Sequence, residues 1–163
     1  VATASTYVWE DYGPDYGGTL EIFYAVVYDL TTAEEVFRVG DLDVEMLCAV
    51  GQAEYGWLIA AATQPAYTIR CFDALTGASY GTPVPHSDDL TALAVGMRGP
   101  GDHAVLVTGT DGGEVRFWDA QDGGIRGAWR LDDHVNDLAV HPEMGLLIAT
   151  GSGLWVAPPL PGT

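Results

Sequence analysis

The sequence predicts an all-β protein assembled from repeated four-stranded antiparallel units, and three observations carry that reading. Aromatic and β-branched residues are spread through the whole chain, and 48% of it is hydrophobic, which suits half-buried strands. Its 21 glycines and 9 prolines arrive too often between apolar runs for long helices to survive, and helical apolar spacing is weak throughout. Two markers also recur in phase. A first-strand valine or leucine stands at Val44, Leu90 and Val135, spacings of 46 and 45, and an aromatic-aspartate pair at Tyr28-Asp29, Phe72-Asp73 and Trp118-Asp119, spacings of 44 and 46. Self-similarity at this period marks repeats that bury their faces only against neighbours, here a β-propeller-like array of four-stranded antiparallel blades.

Each element follows from local pattern. STYVWED (5–11) and the long run 19–30 flank the turn-rich YGPDYGG, which reads as a hairpin, and EEVFRV supplies a third strand ending at Val39. A complete unit follows: VEMLCAV (44–50), WLIAAAT (57–63), YTIRCFD (67–73) and ASYGTPV. The next holds LTALAV (90–95), AVLVTG (104–109), EVRFWD (114–119) and GIRGAWRL (124–131). Thr110, Asp111, Gly112 and Gly113 write a tight turn between its second and third strands. The last unit has VNDLAV (135–140), GLLIATG (145–151) and GLWVA before the terminal PPLPGT. The expected organisation is one segment: an incomplete blade 1–40, blades 41–86 and 87–132, an incomplete blade 133–157, and a Pro-rich tail 158–163.

Composition narrows the function. With 23 acidic residues against 6 basic ones, all arginine, the formal charge is −17. Such a surface repels phosphate, and no basic stripe with interleaved aromatics occurs, so nucleic acid is not an expected partner. Negative charge keeps a β-rich protein soluble, and it also favours cations and basic protein surfaces. Cys48 and Cys71, each inside an apolar run, read as two buried thiols, with a single disulfide as the alternative. No secretory leader and no apolar run near the length of a membrane span is present, so no membrane partner and a cytoplasmic location are expected. The sequence opens on Val1 rather than methionine, which is the expectation for part of a longer product.

HSDDLTALAV from His86, followed by TGTDGGEVRFWDAQDG from Thr108, resembles a blade of the WD-repeat β-propeller family. FDALTG from Phe72 repeats the strand end and turn, and His141-Pro142 with GLLIATGS repeats the loop and second strand, so the likeness spans about 120 residues from Gly40 onward. It implies a buried hydrogen-bonded set made of His86, Thr108, Asp111 and Trp118, in which indole and imidazole find partners. Asp111 stands one residue earlier than the pattern asks, and Gly40 and Leu131 occupy the histidine position in the neighbouring units.

Catalytic motifs are scarce. His86, His103, His134 and His141 have no zinc-type spacing, and neither a GxSxG elbow nor a P-loop occurs. No metal and no cofactor is expected. The loops leading into successive first strands carry Asp41 and Asp43, Asp88 and Asp89, and Asp132 and Asp133. Equivalent loops of a propeller emerge on one face, so these carboxylates are partner-binding candidates forming an acidic arc. The competing view is that they are ordinary solvated loop residues. The loop Asp11 to Tyr16 adds carboxylates and tyrosines of the kind found at interfaces.

The expected function is therefore a non-enzymatic protein–protein interaction scaffold. Its partner would be a protein or another domain of the same parent protein, presenting a basic surface. The alternative is a hydrolase-type enzyme or a calcium- or cation-binding domain using the acidic loops, although ordered DxDxDG spacing is missing. About three and a half blades fall short of the usual ring, so the ring would be completed by a larger parent, by a second chain, or replaced by a small closed or capped array.

Overall fold

A computed structural model describes residues 2–10, 20–29, 31–39, 43–52, 56–64, 67–97, 104–141 and 144–157. Among them every regular element is a strand, so the all-β expectation holds. The first sheet contains β1 (Ala2–Glu10), β2 (Leu20–Tyr28) and β3 (Glu35–Val39). The second contains β4 (Asp43–Gln52), β5 (Gly56–Gln64), β6 (Thr68–Asp73) and β7 (Ser79–Pro85). The third contains β8 (Leu90–Met97), β9 (Ala104–Thr110), β10 (Glu114–Asp119) and β11 (Ile125–Arg130), and the fourth β12 (Val135–His141), β13 (Gly145–Thr150) and β14 (Gly153–Ala157). All neighbours pair antiparallel in chain order.

Three details recur at the same place in successive sheets. The ladder between first and second strands skips one residue at Glu45, Thr91 and Asn136, giving each first strand a bulge just after it begins. Second strands carry a buried threonine at or next to their last residue, at Thr63, Thr110 and Thr150. The Thr63 and Thr150 hydroxyls donate to the carbonyls of Thr68 and Gly153 at 3.0 and 3.1 Å, and Thr110 Oγ1 accepts from the Glu114 N–H at 3.1 Å. Each threonine thus closes the following turn.

The aromatic-aspartate pair explains itself at the opposite turn. Asp29, Asp73 and Asp119 each accept backbone N–H groups two or three residues ahead, as Asx turns. The backbone N–H at Ala33, Gly77 and Gly123 then returns to the aspartate carbonyl at 2.7 to 2.9 Å. That position is left-handed in all three, with φ of 58°, 71° and 73°.

The sheets stack face to face in chain order, and the core lies between them. Leu58, Ala60, Ile69 and Cys71 of the second sheet meet Leu93, Val95, Leu106 and Trp118 of the third. Ala94, Val107, Val115 and Phe117 on the third sheet's other side meet Leu138, Leu146 and Ile148 of the fourth. Phe117 also lies edge-on to Trp129, centroids 4.6 Å apart. Val27 of the first sheet packs on Ile59 and Ala74 of the second.

Both cysteines are free. Cys48 and Cys71 face Ala60 from either side in adjacent ladders, which sets their Cα atoms about 10 Å apart and rules out a bridge. Burial among apolar neighbours pushes both thiols up to about 12.

Because Ala33 carries a Cβ where its two counterparts are glycine, Ala33→Gly should stabilise the protein. The left-handed conformation costs an L-residue about 1–2 kcal/mol, and glycine's extra unfolded-state entropy returns about 0.4–1. A net gain of about 0.5–1 kcal/mol, read as a higher denaturation midpoint, is expected.

Candidate acidic site at one end of the array

Antiparallel order decides which loops share an end. Going up one strand and down the next, the turn between second and third strands falls at the end where the chain enters the first strand of that sheet. The Asp88-Asp89 segment and the Asp111–Gly113 turn therefore meet at one end of the third sheet, and the Asp111 N–H donates to the Asp89 carbonyl at 3.0 Å. Asp132–His134 and the Gly151-Ser152 turn meet likewise at the fourth sheet. The two ends join, since the Leu131 N–H donates to the Gly113 carbonyl at 2.9 Å. Gly113 has φ of +79°, and a Cβ there would stand 2.5 and 2.6 Å from the carbonyls of Leu131 and Asp133, so only glycine permits this approach.

The loops frame a cleft of about 630 Å³, lined by Arg130–His134, Gly151, Ser152 and Trp155. A shallower extension reaches Asp111 and Gly112. Within it the two predicted aspartates part company. Asp133 is turned inward: Oδ2 accepts from the Ser152 N–H at 2.6 Å and Oδ1 from the His134 N–H at 2.9 Å, with His134 Nδ1 3.0 Å away. Hydrogen bonding to Ser152 holds its carboxyl below the usual 3.8. It fastens the β13–β14 turn to the loop before β12. Asp132 is exposed.

Asp88, Asp89 and Asp111 are also exposed. The Ser87 hydroxyl donates to Asp89. Asp43 is the first residue of β4 and so belongs to the corresponding end of the second sheet. Asp41, His103 and the 11–16 loop lie outside the described residues. Three arginines elsewhere are engaged with nearby carboxylates: Arg38 with Glu35, Arg116 with Glu114, and Arg126 with Asp119 and Asp122.

The four-residue set suggested by the family resemblance divides. The buried Trp118 indole N–H donates to Thr108 Oγ1 at 3.1 Å, tying β10 to β9. His86 and Asp111 stand elsewhere. The β6–β7 ladder runs on one more bond, from the His86 N–H to the Tyr67 carbonyl. The imidazole is thereby held over the second sheet, its Nδ1 2.8 Å from the Ser87 carbonyl and Nε2 3.3 Å from the Thr63 carbonyl, edge-on to Tyr67. Asp111 begins a solvent-facing turn, and its side chain is too early in that turn to reach inward.

The sequence marked Thr110 only as a turn residue, and Thr63 and Thr150 not at all. A lone polar residue ending each second apolar run was their signal. Among the described residues, no three histidine, cysteine or acidic side chains converge to hold a metal ion. Among the described residues no helix is long and apolar enough to cross a membrane.

No protein-family model matches the chain, and no curated protein matches it. Among solved structures it is similar to the computationally designed Ika4 protein, with a TM-score of 0.60 and 16% identity over 83% of this chain and 80% of that one. At that identity the likeness concerns the fold alone.

Two tests address these contacts. Thr108→Val should cost about 1–3 kcal/mol, because it strands a buried indole N–H, whereas Thr108→Ser should restore most of the loss in a denaturant titration. Asp133 has a folded pKa below its unfolded one, so its contribution is full above about pH 4 and fades as pH falls through the folded value. Asp133→Asn should therefore lower the melting temperature at pH 7 and bring it closer to wild type at pH 3.

Proposed function

We propose that the chain is a WD-repeat-like β-propeller segment serving as a non-enzymatic scaffold, which docks a basic protein surface, on a partner or another domain of the same parent protein, through its acidic end. The observation that carries this reading is the gathering of Asp88, Asp89, Asp111 and Asp132 at one end of the third and fourth sheets, all exposed. A chain of charge −17 surrounds them, so the field at this end draws cationic surfaces and repels phosphate. Rigidity supports the same reading. Each loop is tied down by backbone contacts, by a buried threonine or by Asp133, so little ordering entropy is lost when a partner docks.

Asp88→Asn with Asp132→Asn removes two exposed charges from this end. An octa-arginine peptide should then bind about 5- to 30-fold more weakly, at about 0.5–1 kcal/mol per exposed ion pair, with a smaller salt dependence. Glu34→Gln with Glu35→Gln removes the same charge around the β2–β3 turn, at the opposite end. Equal loss in both double variants would reduce the effect to net charge and defeat the proposal.

A further inference from the structure

Two Asp-Gly pairs occur in the sequence, Asp111-Gly112 and Asp122-Gly123, and the fold treats them oppositely. Glycine, lacking a Cβ, leaves its own amide nitrogen open to approach the carboxyl of the preceding aspartate and close a five-membered ring. Any hydrogen bond that holds either group must break before the ring can form. At Asp122-Gly123 both groups are held. The Gly123 N–H donates to the Asp119 carbonyl at 2.9 Å, Asp122 Oδ1 accepts from the Gly124 N–H at 2.7 Å, and Oδ2 is engaged with Arg126. At Asp111-Gly112 neither is. The Gly113 N–H donates to the Thr110 carbonyl at 3.0 Å, closing a β-turn with Asp111 and Gly112 at its two central positions. Such a turn bonds its fourth residue and leaves the N–H of its third unused. Among the described residues, the Gly112 N–H and the Asp111 carboxylate have no partner. Both residues are exposed, and a Cβ on Gly112 would come no closer than 3.7 Å to Asp89 Oδ2 or Thr110 Oγ1, so the space beside it is open.

We infer that Asp111-Gly112 is a site of spontaneous isomerisation to isoaspartate, and that its conversion loosens the joint between the third and fourth sheets. In the first step the Gly112 nitrogen bonds to Asp111 Cγ and a Cγ–O bond breaks. That oxygen leaves as water, carrying the amide proton and one proton from solvent, and a succinimide ring remains. In the second step water adds to a ring carbonyl. Addition at Cγ restores aspartate. Addition at the main-chain carbonyl carbon breaks its bond to nitrogen, returns one proton to the nitrogen and one to solvent, and routes the chain through the side-chain methylene. Nothing is oxidised or reduced, and the carboxylate charge is kept, so the inference stands apart from the docking of cationic surfaces. The product turn is one carbon longer. Gly113, whose carbonyl accepts from the Leu131 N–H at 2.9 Å and whose bare Cα admits the Leu131 and Asp133 carbonyls, directly follows that turn. Lengthening the chain just before it displaces the one residue through which the two sheet ends meet so closely.

Ageing the whole chain at neutral pH in water enriched in heavy oxygen, followed by peptide mass spectrometry, tests this directly. Each passage through the ring inserts one labelled oxygen, and isoaspartate is read from resistance to a protease that cuts before aspartate. In the folded protein label should enter at Asp111 roughly 10-fold or more faster than at Asp122, where a backbone bond and a charge-assisted bond must first be lost. In denaturant the two sites should react at similar rates. Gly112→Ala, which fits the open space, should slow labelling at Asp111 several-fold. In the converted protein, hydrogen exchange at the Leu131 amide should speed up. Equal or faster labelling at Asp122 in the folded chain, no label at Asp111, a rate unmoved by Gly112→Ala, or a site difference that persists in denaturant would each overturn the assignment. Unchanged exchange at Leu131 after conversion would overturn the loosening of the joint.

Discussion

Face-to-face burial between successive sheets is the constraint on which the remainder of this structure depends. A four-stranded antiparallel sheet of the kind formed by β8–β11 is apolar on both sides: Leu93, Val95, Leu106 and Trp118 on one, Ala94, Val107, Val115 and Phe117 on the other. Alone it would expose both. On the outer side of the third sheet the small Ala94 of β8 lies beside Val107 and the large Phe117, which lets the fourth sheet pack closely.

That stacking leaves little freedom for the loops. The bulges in β4, β8 and β12, the buried threonines at or next to the ends of the second strands, and the aspartates before the last strands are local devices that finish each sheet in the same way. Thr91 at the β8 bulge bonds to the Val135 carbonyl beside the β12 bulge, so one device also joins two sheets. The exposed carboxylates ride on loops whose backbone is already committed. Asp133 shows the other outcome, a carboxylate recruited to hold the scaffold.

Two surfaces follow from one architecture. Polar loop ends collect at the edge where strands reverse, and the apolar residues Leu154 and Val156 of the fourth sheet stay exposed where stacking stops. They answer to different physics, since salt screens the attraction between unlike charges far more than it weakens the burial of apolar surface.

Strand identity was legible in the sequence because it depends on local alternation and turn chemistry: the run 114–119 and GLWVA from Gly153 are strands to the residue. The 45-residue recurrence was legible for the same reason, and so was the place of the aromatic-aspartate pair at a strand end, whereas the aspartate's backbone bonds were seen only in the structure. Other features needed the tertiary structure. Whether His86 reaches Thr108 or Thr63 depends on how far the β6–β7 ladder extends. Which of two adjacent aspartates faces Ser152 depends on a turn from another hairpin. The separation of Cys48 from Cys71 depends on β5 running between them. The sequence by itself determined the repeating strands and turns, since these are set by residues a few positions apart. Only the tertiary structure decided which side chains meet and which apolar residues are left exposed, because those outcomes rest on contacts between residues tens of positions apart.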